Sequence, residues 1–373
     1  MIFTIVMNAL SMHFFLQTLR SIIIAPAIFS ELLPLLIGLL VAPFIIALCT
    51  LLVDDLFLGL LGAMLQAIGR GLLIIPMDPA NIIYYAGMLC GIYGNVMLML
   101  GMLGATFKKV HVHSIQDKDA TMPALVVSGL FAGVALNVIL RFPGIDVAEN
   151  QVANYVLITI LLASAMVWYT NIEKKHPIRK NLDQIAGFKR KKDKRFRKTA
   201  HLFMLGPSFA ILGFYFNRYE WLSAATGLTN IVLGYILIIA ILMAPLIHTL
   251  CAGSDRAIEI CGMACTSLAF VGIGLMLYLP TGLYMLVFIV PAPLGIYITI
   301  NRVIRLTGRE HANNVDITII VAWMLGLLGM IGPALLTLLV FVPYAGIIII
   351  APLVAYWIIH LAVNGKKTSG GMS

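Results

Sequence analysis

The sequence predicts an all-α integral membrane protein, with twelve transmembrane helices in two pseudo-symmetric six-helix bundles. Three observations carry this. First, of 373 residues 61% are apolar and 11% charged, and the mean hydropathy is +1.00, which excludes a soluble globular domain. Second, charge-poor stretches of about twenty residues recur along the chain, and a helix of that length spans about 30 Å, the hydrocarbon thickness. Alternating ten-residue strands, the mark of a membrane barrel, are not seen. Third, one phrase occurs twice. Ala42-Pro43-Phe44-Ile45-Ile46-Ala47-Leu48-Cys49 returns as Ala244-Pro245-Leu246-Ile247-His248-Thr249-Leu250-Cys251, with five of eight positions identical. A period longer than half the chain implies two long homologous halves, not a solenoid.

The spans follow in order: 2–29, 32–53, 56–75, 81–106, 122–141, 152–171, then 200–217, 222–247, 257–278, 283–301, 316–340 and 345–364. The first has no basic leader and no cleavage site, so it reads as a retained span. The second and eighth carry the repeated phrase. The third and ninth each follow an acidic turn, Asp54-Asp55 or Gly253-Ser254-Asp255-Arg256. Each then has a glycine seven residues beyond the last Asp (Gly62, Gly262) and stops at a proline, Pro76 or Pro280. The fourth carries Gly87, Gly91, Gly94, Gly101 and Gly104, which permit close helix approach. The fifth ends at Arg141. The seventh is short, with polar residues at its end. The eleventh holds Gly326, Gly329, Gly332 and Pro333, read as a bend or as packing. The sixth and twelfth run from a tyrosine through a tryptophan to a lysine pair: Tyr155, Trp168, Lys174-Lys175 and Tyr344, Trp357, Lys366-Lys367.

Lysine and arginine set the orientation. The segment 172–199 is crowded with them, which predicts a cytoplasmic linker between an N-terminal bundle, 1–171, and a C-terminal bundle, 200–373. Twelve spans then place both termini in the cytoplasm of a multi-pass protein of the cell membrane. The net charge of +9 is mostly this topological bias, so nucleic acid is not read as a partner. The bilayer itself is one, and the basic linker suits anionic headgroups. The five cysteines fall in or near spans and suggest no disulfide framework. His111, His113 and His176 have no Cys or acid at ligand spacing, so no metal and no cofactor is expected. No nucleotide-binding, nucleophile-elbow or zincin motif occurs, and nothing points to an enzyme.

Six spans, a basic loop and six repeated spans resemble the major facilitator superfamily, whose halves are related by an axis along the membrane normal. That superfamily has a Gly-x-x-x-Asp-Arg/Lys turn after its second and eighth helices. Here Gly253-Ser254-Asp255-Arg256 keeps the Asp-Arg pair with a glycine just before it, and Asp54-Asp55 keeps only the acids. The resemblance makes Asp54, Asp55, Asp255 and Arg256 the gating turns.

Four arginines lie off the predicted cytoplasmic side: Arg20, Arg70, Arg141 and Arg218. An arginine near the bilayer centre costs about 2.5–3.5 kcal/mol on insertion scales, so such residues face a partner or a cavity. His13, Gln17 and Arg20 share one helical face of span 1. Arg218 closes span 7, the repeat counterpart, with Tyr215 one turn earlier. Two arginines from opposite halves could clamp a carboxylate or phosphate. The resemblance supports this, because spans 1 and 7 line the central cavity in the superfamily and some of its organic-phosphate exchangers place an arginine on each. Arg218 has a second reading, paired with Glu220 or with headgroups. Asn137 shares a face with Arg141 on span 5, and Asn95 lies mid-span 4; both join the candidate substrate-binding set. Arg70, with Gln66 on span 3, is read as a structural bond to a neighbouring helix.

No Asp or Glu lies mid-span, so any proton coupling would fall to His13. The expected function is a secondary transporter, working by alternating access on a small anionic or zwitterionic solute. The alternative is a non-transporting protein of the same fold, active in lipid or pigment delivery or as a subunit of a larger membrane complex.

Overall fold

The computed structural model describes residues 2–24, 53–75, 81–111, 118–140, 151–173, 219–250, 255–275 and 282–298, with 37, 38, 41, 42, 44–46, 48, 49 and 301. Among them there is helix and turn but no strand. Predicted spans seven, eleven and twelve, and the linker from 174 onward, lie outside the described residues.

Eight helices and one broken helical segment are described: α1 (Ile2–Ile24), α2 (Asp55–Ile74), α3 (Ile82–His111), α4 (Lys118–Ile139), α5 (Gln151–Glu173), α6 (Tyr219–Thr226), α7 (Asn230–Leu250), α8 (Asp255–Leu275) and α9 (Leu283–Ile298). Asp55–Ile74, Ile82–Met102, Gln151–Thr170 and Asn230–Leu250 are long and apolar enough to cross a membrane. On α7 the stripe Val232, Tyr235, Ile239, Leu242, Leu246 and Leu250 is exposed, while Leu233, Leu237, Ile241, Ala244 and His248 are buried. An exposed leucine stripe of that length suits lipid, not water.

Glycines set how closely the helices approach. α2 crosses α3 along Gly59, Gly62 and Gly69 on one side and Gly87, Gly91, Gly94 and Gly101 on the other. A Cβ at Gly94 would sit 2.5 Å from the Gln66 backbone nitrogen, and one at Gly62 would meet the Leu98 backbone. The two backbones therefore touch directly, and dispersion between them replaces the absent hydrophobic drive. α4 packs on α1 the same way: Gly129 faces Ile5 and Asn8, and Gly133 faces Ala9 and Met12. The matching increments of four show that α1 and α4 run parallel.

The C-terminal half repeats the first pairing. A Cβ at Gly295 on α9 would sit 2.5 Å from the Thr266 nitrogen on α8, as Gly94 meets Gln66. Gly262 packs on Ile298, as Gly62 packs on Leu98. Asp55 and Asp255 each open their helix. Asp54, in extended conformation, caps α2 by accepting from the Leu56 nitrogen at 3.4 Å.

Two predicted spans are interrupted. Span 8 was expected to be continuous over 222–247. The chain instead ends α6 at Thr226, turns at Gly227 with φ of 72°, and starts α7 at Asn230. Only glycine takes that φ without strain, and the side chains of Ser223 and Thr226 fix the turn by bonding across it. Span 10 opens with a 3-10 turn, Leu283–Met285, and breaks at Val290–Pro291, where proline lacks the N–H a helix needs.

The halves meet where α4 packs on α7. A single apolar core runs from Met12, Phe15 and Tyr93 through Phe131 to Leu237, Ile289 and Tyr297. A second core, with Met7, Phe14, Leu98 and Trp168, stays within the first half. Every residue of α1 from Leu10 to Thr18, and of α3 from Gly91 to Met102, is buried.

Candidate functional site

At 100° per residue α1 has two polar faces. His13 and Gln17 occupy one; Thr4, Asn8, Ser11 and Thr18 occupy the opposite one. All six side chains are buried.

The first face meets α4. His13 is 0% exposed, and its Nδ1 lies 3.4 Å from the Asn137 amide nitrogen, at the long end for a hydrogen bond. Donation by that amide makes Nδ1 the acceptor, which places the neutral imidazole proton on Nε2. Gln17 continues this face one turn on, buried. Arg20 follows on the α1 backbone, but its side chain lies outside the described residues, as do Tyr215 and Arg218.

The second face was not singled out in the sequence, and it is the more connected. The Ser11 carbonyl accepts from Gln66 Nε2 of α2 at 2.7 Å, and its hydroxyl accepts from Asn95 Nδ2 of α3 at 2.7 Å. Asn8 donates to the Thr4 carbonyl on its own helix, and its Oδ1 is enclosed without a partner. Ser11 thus ties three helices together. The structure brings His13 and Asn137 together and places Asn95 across α1 from them. A signal existed: Thr4, Asn8, Ser11 and Thr18 recur at helical spacing, and Gly129-x-x-x-Gly133-x-x-x-Asn137 marks the α4 face that meets α1.

Replacing Ser11 by alanine should leave the Asn95 amide without its acceptor. The expected loss is about 0.6 kcal/mol, the mean for inter-helix hydrogen bonds in membrane proteins, and at most about 1.7 kcal/mol. A thermal melt of purified protein checks this. Thr4→Ala, whose hydroxyl carries no such inter-helix bond among the described residues, should change little.

A third group joins the halves. Tyr297 of α9 is fully enclosed; its hydroxyl lies 3.3 Å from Ser128 Oγ on α4. Its ring stands edge-on to Phe131 of α4 at 5.2 Å and to His248 of α7 at 5.4 Å. Of the predicted gating residues, Asp54 caps α2, Asp55 is buried in its first turn, and Asp255 and Arg256 open α8 with side chains outside the described residues. Arg70 donates from Nε and Nη2 to Asn154 Oδ1 of α5, at 3.2 and 3.1 Å, which is the inter-helix bond expected for it. Asp55 and Arg70 are the buried residues of ionisable carboxylate or guanidinium type among those described. The other buried polar side chains among the described residues are hydroxyls, amides and the imidazoles of His13 and His248, suited to orienting a solute or holding helices.

No protein-family model matches the sequence, and no curated protein matches it. The fold does have matches among solved structures. The human organic anion transporter MFSD10 (TETRAN) superposes with a TM-score of 0.59 at 12% identity, covering 95% of each chain. FucP, a transporter of the major facilitator superfamily captured in the outward conformation, gives a TM-score of 0.50 at 14% identity, covering 95% of this chain and 96% of its own. The chain is a multi-pass membrane protein with the major facilitator superfamily fold.

Proposed function

We propose that the chain is a secondary transporter that moves a small anionic or zwitterionic solute by rocking two six-helix halves, 1–171 and 200–373, joined by the cytoplasmic linker. The observation that supports this most is the fold, shared along 95% of both chains with an organic anion transporter. Both termini lie in the cytoplasm and the protein resides in the cell membrane on this reading. Arg20 and Arg218 form the anion clamp, Tyr215 adds a hydroxyl, and His13, Gln17, Asn95 and Asn137 supply neutral polar groups around it. Asp54, Asp55, Asp255 and Arg256 belong to the turns that move as the halves rock.

The test is counterflow in proteoliposomes, with organic carboxylates, organic phosphates, zwitterionic amino acids and neutral sugars as parallel substrates. At least one anion or zwitterion should exchange and the sugars should not. Arg20→Lys keeps the charge but loses the planar fork, so exchange should fall by about tenfold or more, the worth of a charge-assisted hydrogen bond. Full uptake by Arg20→Ala would remove the clamp. Absence of exchange for every anion and zwitterion would remove the transporter reading.

A further inference from the structure

We propose that Arg70 receives the phosphate of a phospholipid, at one membrane surface where the ends of α2, α3 and α5 meet. Arg70 lies about 6 Å below the Ile74 end of α2, at 1.5 Å per residue. Asn154, which it binds, is within the first turn of α5, and Tyr84, within the first turn of α3, is in electrostatic reach of the guanidinium. Three helix ends thus converge at the level where phosphates border the hydrocarbon.

Among the described residues the guanidinium is only partly satisfied. It has five N–H donors, and two of them go to a single amide oxygen. That oxygen accepts hydrogen bonds but brings no negative charge. Among the described residues no carboxylate reaches Arg70, although the side chain is only 7% exposed. A cation held so deep in a membrane helix needs a counter-charge. Nη1 makes no bond to the described residues. The outer faces of the adjoining helix ends are apolar: Ile82, Val152 and Tyr155 are exposed. The anion present at that depth and density is the lipid phosphate, and a guanidinium fork matches phosphate geometry. The site is independent of the solute clamp: it lies on α2, α3 and α5, and none of the clamp residues takes part.

The experiment uses full-length protein purified in neutral detergent, with dioleoylphosphatidylglycerol or inorganic phosphate added. Bound lipid is counted by native mass spectrometry and the melting temperature is followed. Wild type should retain the lipid and melt higher with it, and inorganic phosphate should do neither. Arg70→Gln should retain about tenfold less lipid or lower still, the loss of a charge-assisted hydrogen bond. Asn154→Asp guards against simple misfolding, because it places a carboxylate beside Arg70. It should melt at least as high as wild type without lipid and gain nothing from it. Equal lipid retention by wild type and either variant would overturn the proposal. So would an Arg70-dependent shift with inorganic phosphate and none with the lipid, which would make this a site for a soluble anion.

Discussion

Gly94→Ala should destabilise the protein by about 3 kcal/mol, the upper end of the cost of overpacking a tight interior. The added methyl has nowhere to go. Its Cβ would lie 2.5 Å from the Gln66 nitrogen and 2.8 Å from the Gly62 carbonyl oxygen, both backbone atoms. A side-chain neighbour could rotate away; a backbone neighbour moves only with its helix. α2 and α3 would have to part along the seam that also includes Gly59, Gly69 and Gly101. Gly71→Ala is the control, because nothing lies within 4 Å of a Cβ there. In a thermal melt Gly94→Ala should fall by about 5–10 °C, whereas Gly71→Ala should hold or rise slightly. Equal melts would mean that the seam is looser than its geometry.

Tyr297→Ala should cost about 3–5 kcal/mol, the range for emptying a buried aromatic site. The ring is enclosed on all sides and faces Phe131 and His248 edge-on; such pairs add about 0.5–1.5 kcal/mol beyond burial. Tyr297→Phe keeps the ring and loses the contact with Ser128, so about 1 kcal/mol or less is expected from that contact. Ser128→Ala should match it, and the double variant should be no worse than either single one, since the pair shares one interaction. The sites are 169 residues apart in sequence, so additivity of the two losses in the melt would show that they do not interact.

Punctuation left legible marks in the sequence. Asp55 and Asp255 do open equivalent helices, and the glycine seven residues after each does meet the next helix, because acids, glycines and prolines act locally. The bond of Arg70 to a neighbouring helix was readable too, since an arginine in an apolar span must find an acceptor. The more connected face of α1 was not. Thr4, Asn8 and Ser11 look like small packing residues, and a stripe ending in Arg20 drew more weight. His13 and Asn137 each stood out alone, but nothing in one sequence says that residues 124 apart face each other. The break at Gly227 was hidden because glycine is common inside membrane helices; its positive φ depends on the bonds from Ser223 and Thr226.

The enclosure of α1 has a consequence for biogenesis. The helix is made well before its close-packed parallel neighbour, α4, with the Asn137 partner of His13 emerging 124 residues later. At synthesis rates of about 5–20 residues per second, that delay is on the order of ten seconds. Throughout it Asn8, His13 and Gln17 have no α4 to shield them, and α1 taken alone is an apolar rod with bare amides and an imidazole. Newborn α1 is therefore expected to stay beside the insertion machinery or a membrane chaperone until α4 arrives. Ribosomes stalled before residue 118 should keep α1 crosslinkable to that machinery, and ribosomes stalled well after residue 139 should release it.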